Sequence, residues 1–282
     1  MKTVLEIINL CAEYLHENGV DRSRREAEDL IADALDKKRI DLYLEYDRPL
    51  TEEEMADCRS ALKRRAAGEP LAYIHGQVDF FGCRIKVSPD VLIPRQETEI
   101  LVDQIVKDLE SVDCKEKTLA DVCCGSGCIG IAIKKRLPEL KVFLTDLSDR
   151  ALAIAKENAL QNNVDVEFIQ GDLLEPLEGL KLDYVVSNPP YIAEKEYAML
   201  EREVREHEPR MALVAGEEGI ECYRRLEQGL PRLLNPGGHA WFEIGTGQGE
   251  ALISLFEHPR WKKKKVEKDW SGHERFFFLE IE

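Results

Sequence analysis

From Thr118 onward, short apolar runs alternate with segments of helical spacing, and few folds accommodate that alternation. Leu119 to Cys123, Val142 to Thr145, Val166 to Ile169 and Leu182 to Ser187 read as buried strands. Ile129 to Leu137 and Ala151 to Gln161 read as the helices between them. Strand–helix–strand crossovers of this kind give parallel strands with helices on both faces, so the expected class is α/β. A helix over Ile220 to Leu233, a turn at Asn235-Pro236-Gly237-Gly238, a strand over Ala240 to Ile244 and a helix over Gln248 to Phe256 extend the pattern. Two closing runs, Lys265 to Lys268 and Phe276 to Ile281, are expected as an antiparallel hairpin at the sheet edge.

The chain before this is different in kind. Val4, Leu5, Ile7, Ile8, Cys11, Ala12 and Leu15 recur at helical spacing before Gly19, and further helices are expected over Ser23 to Leu35 and Thr51 to Ala67. Thr51 with Glu54 three residues on has the form of a capping box. After the break at Gly68-Glu69-Pro70, Val78 to Val87 reads as a β-hairpin turning near Gly82, and Glu97 to Leu109 as an amphipathic helix. The reading divides the chain into a small helical domain (1–75), a hairpin connector (76–95) and the sheet domain (96–282). The residues from Ile192 to about Glu217 read as loop-rich.

The chemistry gathers where the strands end. The first strand leads into Cys123-Cys124-Gly125-Ser126-Gly127, a turn in which backbone can approach a ligand closely and a helix N-terminus presents N–H groups. A tight strand-to-helix connection uses the same glycines, so the turn gains meaning from its neighbours. Asp146 closes the second strand, where a carboxylate can accept from both hydroxyls of a ribose. Asp172 follows the third, placed to accept from an exocyclic adenine amine, with Leu173 to cover the ring face. The fourth strand runs into Asn188-Pro189-Pro190-Tyr191. Its prolines set two φ angles and remove two donors, leaving the Asn188 side chain and the Asn188 and Pro189 carbonyls as acceptors for a planar NH2 group. Tyr191 offers a flat face against which that group can stack. The motif says that an amino group is bound and leaves open which one.

No Lys-Ser/Thr follows the glycines and the spacing is not that of a dinucleotide fingerprint, so the expected cofactor is an adenosine without pyrophosphate, which S-adenosylmethionine satisfies. Taken with the helical N-terminus, the segments Val91-Leu92-Ile93-Pro94-Arg95-Gln96-Glu97-Thr98-Glu99, Glu208-Pro209-Arg210-Met211-Ala212-Leu213 and Glu243-Ile244-Gly245 make nearly the whole chain resemble the peptide chain release factor N5-glutamine methyltransferases, the PrmC/HemK family. The resemblance implies a class I, Rossmann-like methyltransferase domain and methyl transfer from S-adenosylmethionine to the side-chain amide of the glutamine in the Gly-Gly-Gln motif of release factors, with the N-terminal helices docking that partner. It makes Asn188, Pro189 and Tyr191 the catalytic set, and Asn188 through Tyr191 the substrate-binding turn. Cys123, Cys124, Gly125, Ser126, Gly127, Asp146, Asp172, Leu173 and Asn188 are then the cofactor contacts. Cys123 stands where the family usually has glycine, and Cys124 where a small polar residue is common. The Asn-Pro-Pro-Tyr box is shared with nucleic-acid amino methyltransferases, and Cys123 raises the alternative of a binder that has lost catalysis.

Composition weighs between these. A net charge of −16 disfavours attraction to phosphate backbones, so the expected partner is a protein and not nucleic acid. The basic run Lys262 to Lys265 reads as a solvated strand edge. Neither a leader pattern nor an apolar run of membrane-spanning length is visible, and the eight cysteines lack paired metal-ligand spacing, so a cytoplasmic location with reduced thiols and no metal is expected; a monomer is the default expectation. The six histidines fall in no catalytic pattern.

Overall fold

Helix caps set the first elements. In the computed structural model, which describes residues 2–282, Thr3 and Glu6 form a reciprocal capping box at the start of α1 (Val4–Glu17). After α2 (Ser23–Ala34) and α3 (Arg39–Leu44), Thr51 and Glu54 repeat the arrangement at α4 (Glu52–Ala66), as their spacing predicts, with N–H to oxygen distances of 2.8 and 3.2 Å. A short α5 (Leu71–His75) follows. Val4, Ile8, Leu15, Ile31, Leu42 and Leu50 are buried together as the core of this unit, which takes in the described residues up to Gly76 and the segment 201–207. Within it the nearly buried Arg65 lies between the carboxylates of Glu26 and Glu203.

The second unit holds residues 77–200 and 208–282. It opens with a hairpin, β1 (Gln77–Phe80) and β2 (Cys83–Lys86), whose two-residue turn places Phe81 and Gly82 at φ 45° and 74°. The sequence suggests a connector, yet the hairpin is fastened to the sheet domain. The buried Asn158 accepts from Lys86 N (2.6 Å) and donates to Lys86 O (3.0 Å), while Asn162 does the same for Arg84 at 3.2 and 2.8 Å. Two side-chain amides thus stand in for a neighbouring strand.

Next come α6 (Gln96–Leu109), β3 (Thr118–Val122), α7 (Cys128–Arg136), β4 (Lys141–Asp146), α8 (Asp149–Asn162), β5 (Glu167–Gln170) and β6 (Leu182–Ser187). The region that reads as loop carries β7 (Ile192–Ala193), α9 (Glu194–Tyr197), α10 (Arg202–His207) and β8 (Val214–Gly216), all too short to show a period. The chain ends with α11 (Glu221–Leu233), β9 (Leu234–Glu243), α12 (Gly249–Leu255), β10 (Trp261–Lys268) and β11 (Glu274–Ile281).

Seven strands form one sheet in the order β10-β11-β9-β6-β3-β4-β5, parallel from β9 to β5, with β11 antiparallel to both β9 and β10. The α/β class and the antiparallel edge hairpin follow the expectation. Most boundaries shift by a residue or two, and three of the shifts have a visible cause. The first strand stops at Val122 because Cys123 turns to φ 59°. β9 begins at Leu234 and takes in the Asn-Pro-Gly-Gly turn, its pairing with β6 slipping between Leu182 and Tyr184. β10 begins at Trp261, its alternation hidden under the exposed Lys262 to Lys265 of the sheet edge. Strand order reverses at β3: β4 and β5 lie to one side, β6 and β9 to the other, opening a crevice at the carboxyl ends of β3 and β6.

Candidate active site

The crevice begins with Asp121, fully buried near the end of β3. Its Oδ2 accepts from Gly130 N at 2.8 Å, and a Cβ at Gly130 would stand 2.3 Å from Leu144 Cδ2, so a larger residue there would displace that buried side chain. Oδ1 is buried with no hydrogen-bond partner among the described residues. Burial, opposed by the Gly130 bond and reinforced by Asp146, pushes this carboxyl up to about 7.

The turn that follows holds Cys123, Gly125 and Gly127 at φ 59°, 53° and 77°. Only Cys123 has a side chain in that left-handed region. Its thiol, hydrogen-bonded to Ser187, is held well above the usual thiol range by burial. Gly127 N donates to Cys124 O (2.8 Å), and a Cβ at Gly127 would sit 3.0 to 3.1 Å from Ile131, Ala155 and Leu144. Asp146 ties the turn to the next loop: Oδ2 accepts from Gly125 N (2.8 Å) and Oδ1 from Ser148 N (2.9 Å). Burial raises its carboxyl against these bonds, and each oxygen keeps acceptor capacity.

Cys123, Cys124, Gly125, Ser126, Asp146, Asp172, Leu173, Asn188 and Pro190 line one cavity of about 240 Å³. The topology therefore unites residues that are scattered along the sequence. Gly127 does not line it; it makes the close packing under the turn. Asp172 does line it, but not as the free acceptor expected from the sequence. Its oxygens are 3.0 and 2.9 Å from the Arg225 guanidinium of α11, and nothing local in the sequence announces that partner. Pro189 and Tyr191 also stay off the lining. Pro189 is buried, and the Tyr191 ring packs against the hydrophobic core and lies beside Gly245, where a Cβ would be 3.2 Å from Cδ2. The flat face expected of Tyr191 is spent on packing, while its carbonyl accepts from Gln248 Nε2 at 2.9 Å.

Sequence reasoning gave no role to two further residues. Glu208, its side chain 1% exposed, accepts from Ile93 N at 3.1 Å and pairs with Arg95, joining two segments that wall the cavity. Glu243, at the end of β9, is buried with Oε2 2.6 Å from Thr98 Oγ1 of α6. The signal available was a carboxylate continuing the apolar run Ala240-Trp241-Phe242, where a charge has no place unless partnered.

The donor set suits a cationic ligand and not a polyphosphate. Among the described residues no lysine lines the cavity, and the two arginines that do, Arg95 and Arg225, already face carboxylates. With Asp172 paired to Arg225, Asp146 and Asp90 leave the lining negative. All eight cysteines are free, and among the described residues no group of three or more His, Cys, Asp or Glu is arranged to hold a metal ion.

Comparison with known proteins is in keeping with this geometry. Residues 6–76 match the family model described as PrmC N-terminal domain, and residues 96–212 that described as methyltransferase small domain. The chain is 44% identical to the release factor glutamine methyltransferase of Chlamydia trachomatis serovar D over 98% of this chain and 93% of that protein. It is 40% identical to the enzyme of the same name from Geobacter sulfurreducens, over 90% and 88%. Among solved structures it resembles a methyltransferase from Pyrococcus furiosus, with a TM-score of 0.51 and 16% identity over 71% of this chain and 89% of that one, a likeness of fold alone.

Proposed function

Because the chain belongs to the family of release factor glutamine methyltransferases, we propose that the crevice between β3 and β6 is its active site and that Asn188 presents the substrate amide there. The activity is transfer of a methyl group from S-adenosylmethionine to the side-chain N5 of the glutamine in the Gly-Gly-Gln motif of peptide chain release factors. The observation that carries the site reading is the single cavity shared by the glycine turn, Asp146 and Asn188.

When bound, S-adenosylmethionine supplies an electrophilic methyl group on a cationic sulfonium. Cys123 to Ser126 would face its amino-acid portion, Asp146 its ribose hydroxyls, and Leu173 with Asp172 its adenine. The acidic lining complements its charge.

The rest is the work of the chain. An amide nitrogen is a poor nucleophile because its lone pair is delocalised, so the site must hold both N–H bonds and turn the nitrogen's face toward the donor. Asn188 Oδ1, on the residue of the proline turn that lines the cavity, accepts from that NH2 group, and the bond strengthens as positive charge develops on nitrogen. No general base is required, because the methylated nitrogen becomes acidic and releases its proton afterwards. Tyr191, packed on the core, supports the turn from behind. We read the release factor as the whole of the partner surface, with no nucleic acid engaged and the chain acting as a cytoplasmic monomer. The net charge of −16 supports the first of these.

The test is a transfer assay with labelled S-adenosylmethionine, a release factor, its Gln-to-Ala variant and DNA, with mass spectrometry to locate the label. Label on the Gly-Gly-Gln glutamine, absent from the variant and lost in Asn188→Ala, is the expected result. Label on DNA alone overturns the substrate reading, and undiminished transfer by Asn188→Ala overturns the site reading.

A further inference from the structure

Glu243 sits behind Asn188, 2% exposed, and does not line the cavity. Its carboxylate accepts from Thr98 Oγ1 at 2.6 Å and is hydrogen-bonded to the Asn188 side chain. Its backbone carbonyl accepts from the Tyr223 hydroxyl at 2.7 Å, which holds this end of β9 in place. The charged and titratable groups facing it are Glu97 on α6, Arg275 on β11, Tyr191 after the proline turn, Tyr223 on α11 and Cys128 on α7.

An asparagine amide can be turned end for end at almost no steric cost, which exchanges its acceptor for its donor. Only one of the two orientations serves a site that must accept from a substrate NH2 group. An ionised carboxylate can only accept, so it selects the orientation in which Asn188 Nδ2 donates to it and Oδ1 is left for the cavity. Thr98 commits its single hydroxyl proton to the same carboxylate and so fixes where the carboxylate lies. We propose that Glu243 is a positioning residue, which with Thr98 locks the Asn188 amide with its carbonyl toward the substrate. The inference rests on the reading that Asn188 Oδ1 holds the substrate amide.

A protonated Glu243 carries an O–H of its own and can donate to Asn188 Oδ1, which admits the wrong orientation. Burial, opposed by the Thr98 bond and Arg275 and reinforced by Glu97, raises this carboxyl to about 7. The lock therefore weakens as pH falls through neutrality.

The experiment measures kcat and KM for a full-length release factor between pH 5.5 and 9 in the wild type, Glu243→Gln, Thr98→Val, Thr98→Ser and Asn188→Ala. Cofactor affinity is measured by calorimetry, and the Asn188 side-chain amide is followed by 15N NMR, assigned by its loss in Asn188→Ala. Wild-type kcat is expected to fall on an acidic limb near neutral pH, with the Asn188 signal titrating in parallel. Glu243→Gln, whose amide can donate as well as accept, is expected to lose about tenfold or more in kcat, lose that limb and bind cofactor as before. Thr98→Val removes a bond to the ionised form and moves the limb to higher pH, while Thr98→Ser restores it. An unchanged limb in Glu243→Gln overturns the proposal. If that variant does not fold, an unmoved limb in Thr98→Val does so. Full activity in Asn188→Ala brings down the site reading itself; an inactive Asn188→Ala beside an unaltered Glu243→Gln defeats the positioning role alone.

Discussion

Cys123 carries a side chain at φ 59°, a backbone region that costs an L-residue about 1–2 kcal/mol and glycine almost nothing. The thiol contact with Ser187 and packing against the core offset part of that cost. Cys123→Gly is therefore expected to be more stable than Cys123→Ala by about 1 kcal/mol in urea unfolding, since alanine keeps the strained Cβ and loses the thiol. Equal stabilities would mean that the strain is relieved elsewhere. The position of the turn could be read from its glycines, and so could the oddity of a cysteine among them. Its positive φ could not, because that follows from how Cys124 N reaches Thr145 O on the neighbouring strand, at 2.9 Å.

At the scale of elements, Asn158 on α8 does what the local sequence gives no hint of. Besides bonding both backbone groups of Lys86, its Nδ2 donates to Ser126 O at 2.9 Å, so one buried amide joins α8, the hairpin and the glycine turn. Asn158→Ala leaves several buried polar groups without partners and is expected to destabilise the protein by about 2–4 kcal/mol. Because one of those groups belongs to the turn, calorimetry should also show weaker cofactor binding; wild-type affinity would separate the turn's shape from the hairpin. The hairpin itself was legible from its turn and alternation. Its anchoring was not, because hydrogen bonds between residues more than seventy positions apart leave no local pattern. The segment from Ile192 to Gly216 shows the complementary limit: elements of two to six residues are stabilised by what they pack on and not by a period of their own.

For the molecule as a whole, the two buried carboxyls near the active site set a pH dependence of stability. Asp121 and Glu243 are both raised to about 7, whereas in the unfolded chain they titrate near 4. Between those values each of the two keeps its proton in the folded state and loses it in the unfolded one, so their contribution to stability falls as pH rises from about 4 to about 7 and then levels off. Each group is responsible for a loss on the order of 2–4 kcal/mol. Asp121→Asn keeps an acceptor for Gly130 N and removes the buried charge. Melting temperatures at pH 5 and pH 8 should therefore lie closer together in this variant than in the wild type, with the gain at pH 8. A variant that loses stability equally at both pH values would show that the Asp121 charge is matched by something other than burial.

The alternation of strands and helices from Thr118 to Ser187, the glycine turn, the capping box of α4 and the proline turn after β6 were determined by the sequence alone. Period, capping and fixed φ angles are local properties, carried by residues within a few positions of one another. Tertiary structure alone decided what those pieces do together. The reversal of strand order at β3 brought Cys123, Asp146 and Asn188 to one cavity. Long-range partners then reassigned individual roles: Arg225 occupied Asp172, the core claimed the ring of Tyr191, and Thr98 with Glu243 took hold of Asn188 from behind. A side chain's chemistry is written in the sequence. Which lone pair or ring face stays free for a ligand depends on neighbours that only the folded chain supplies.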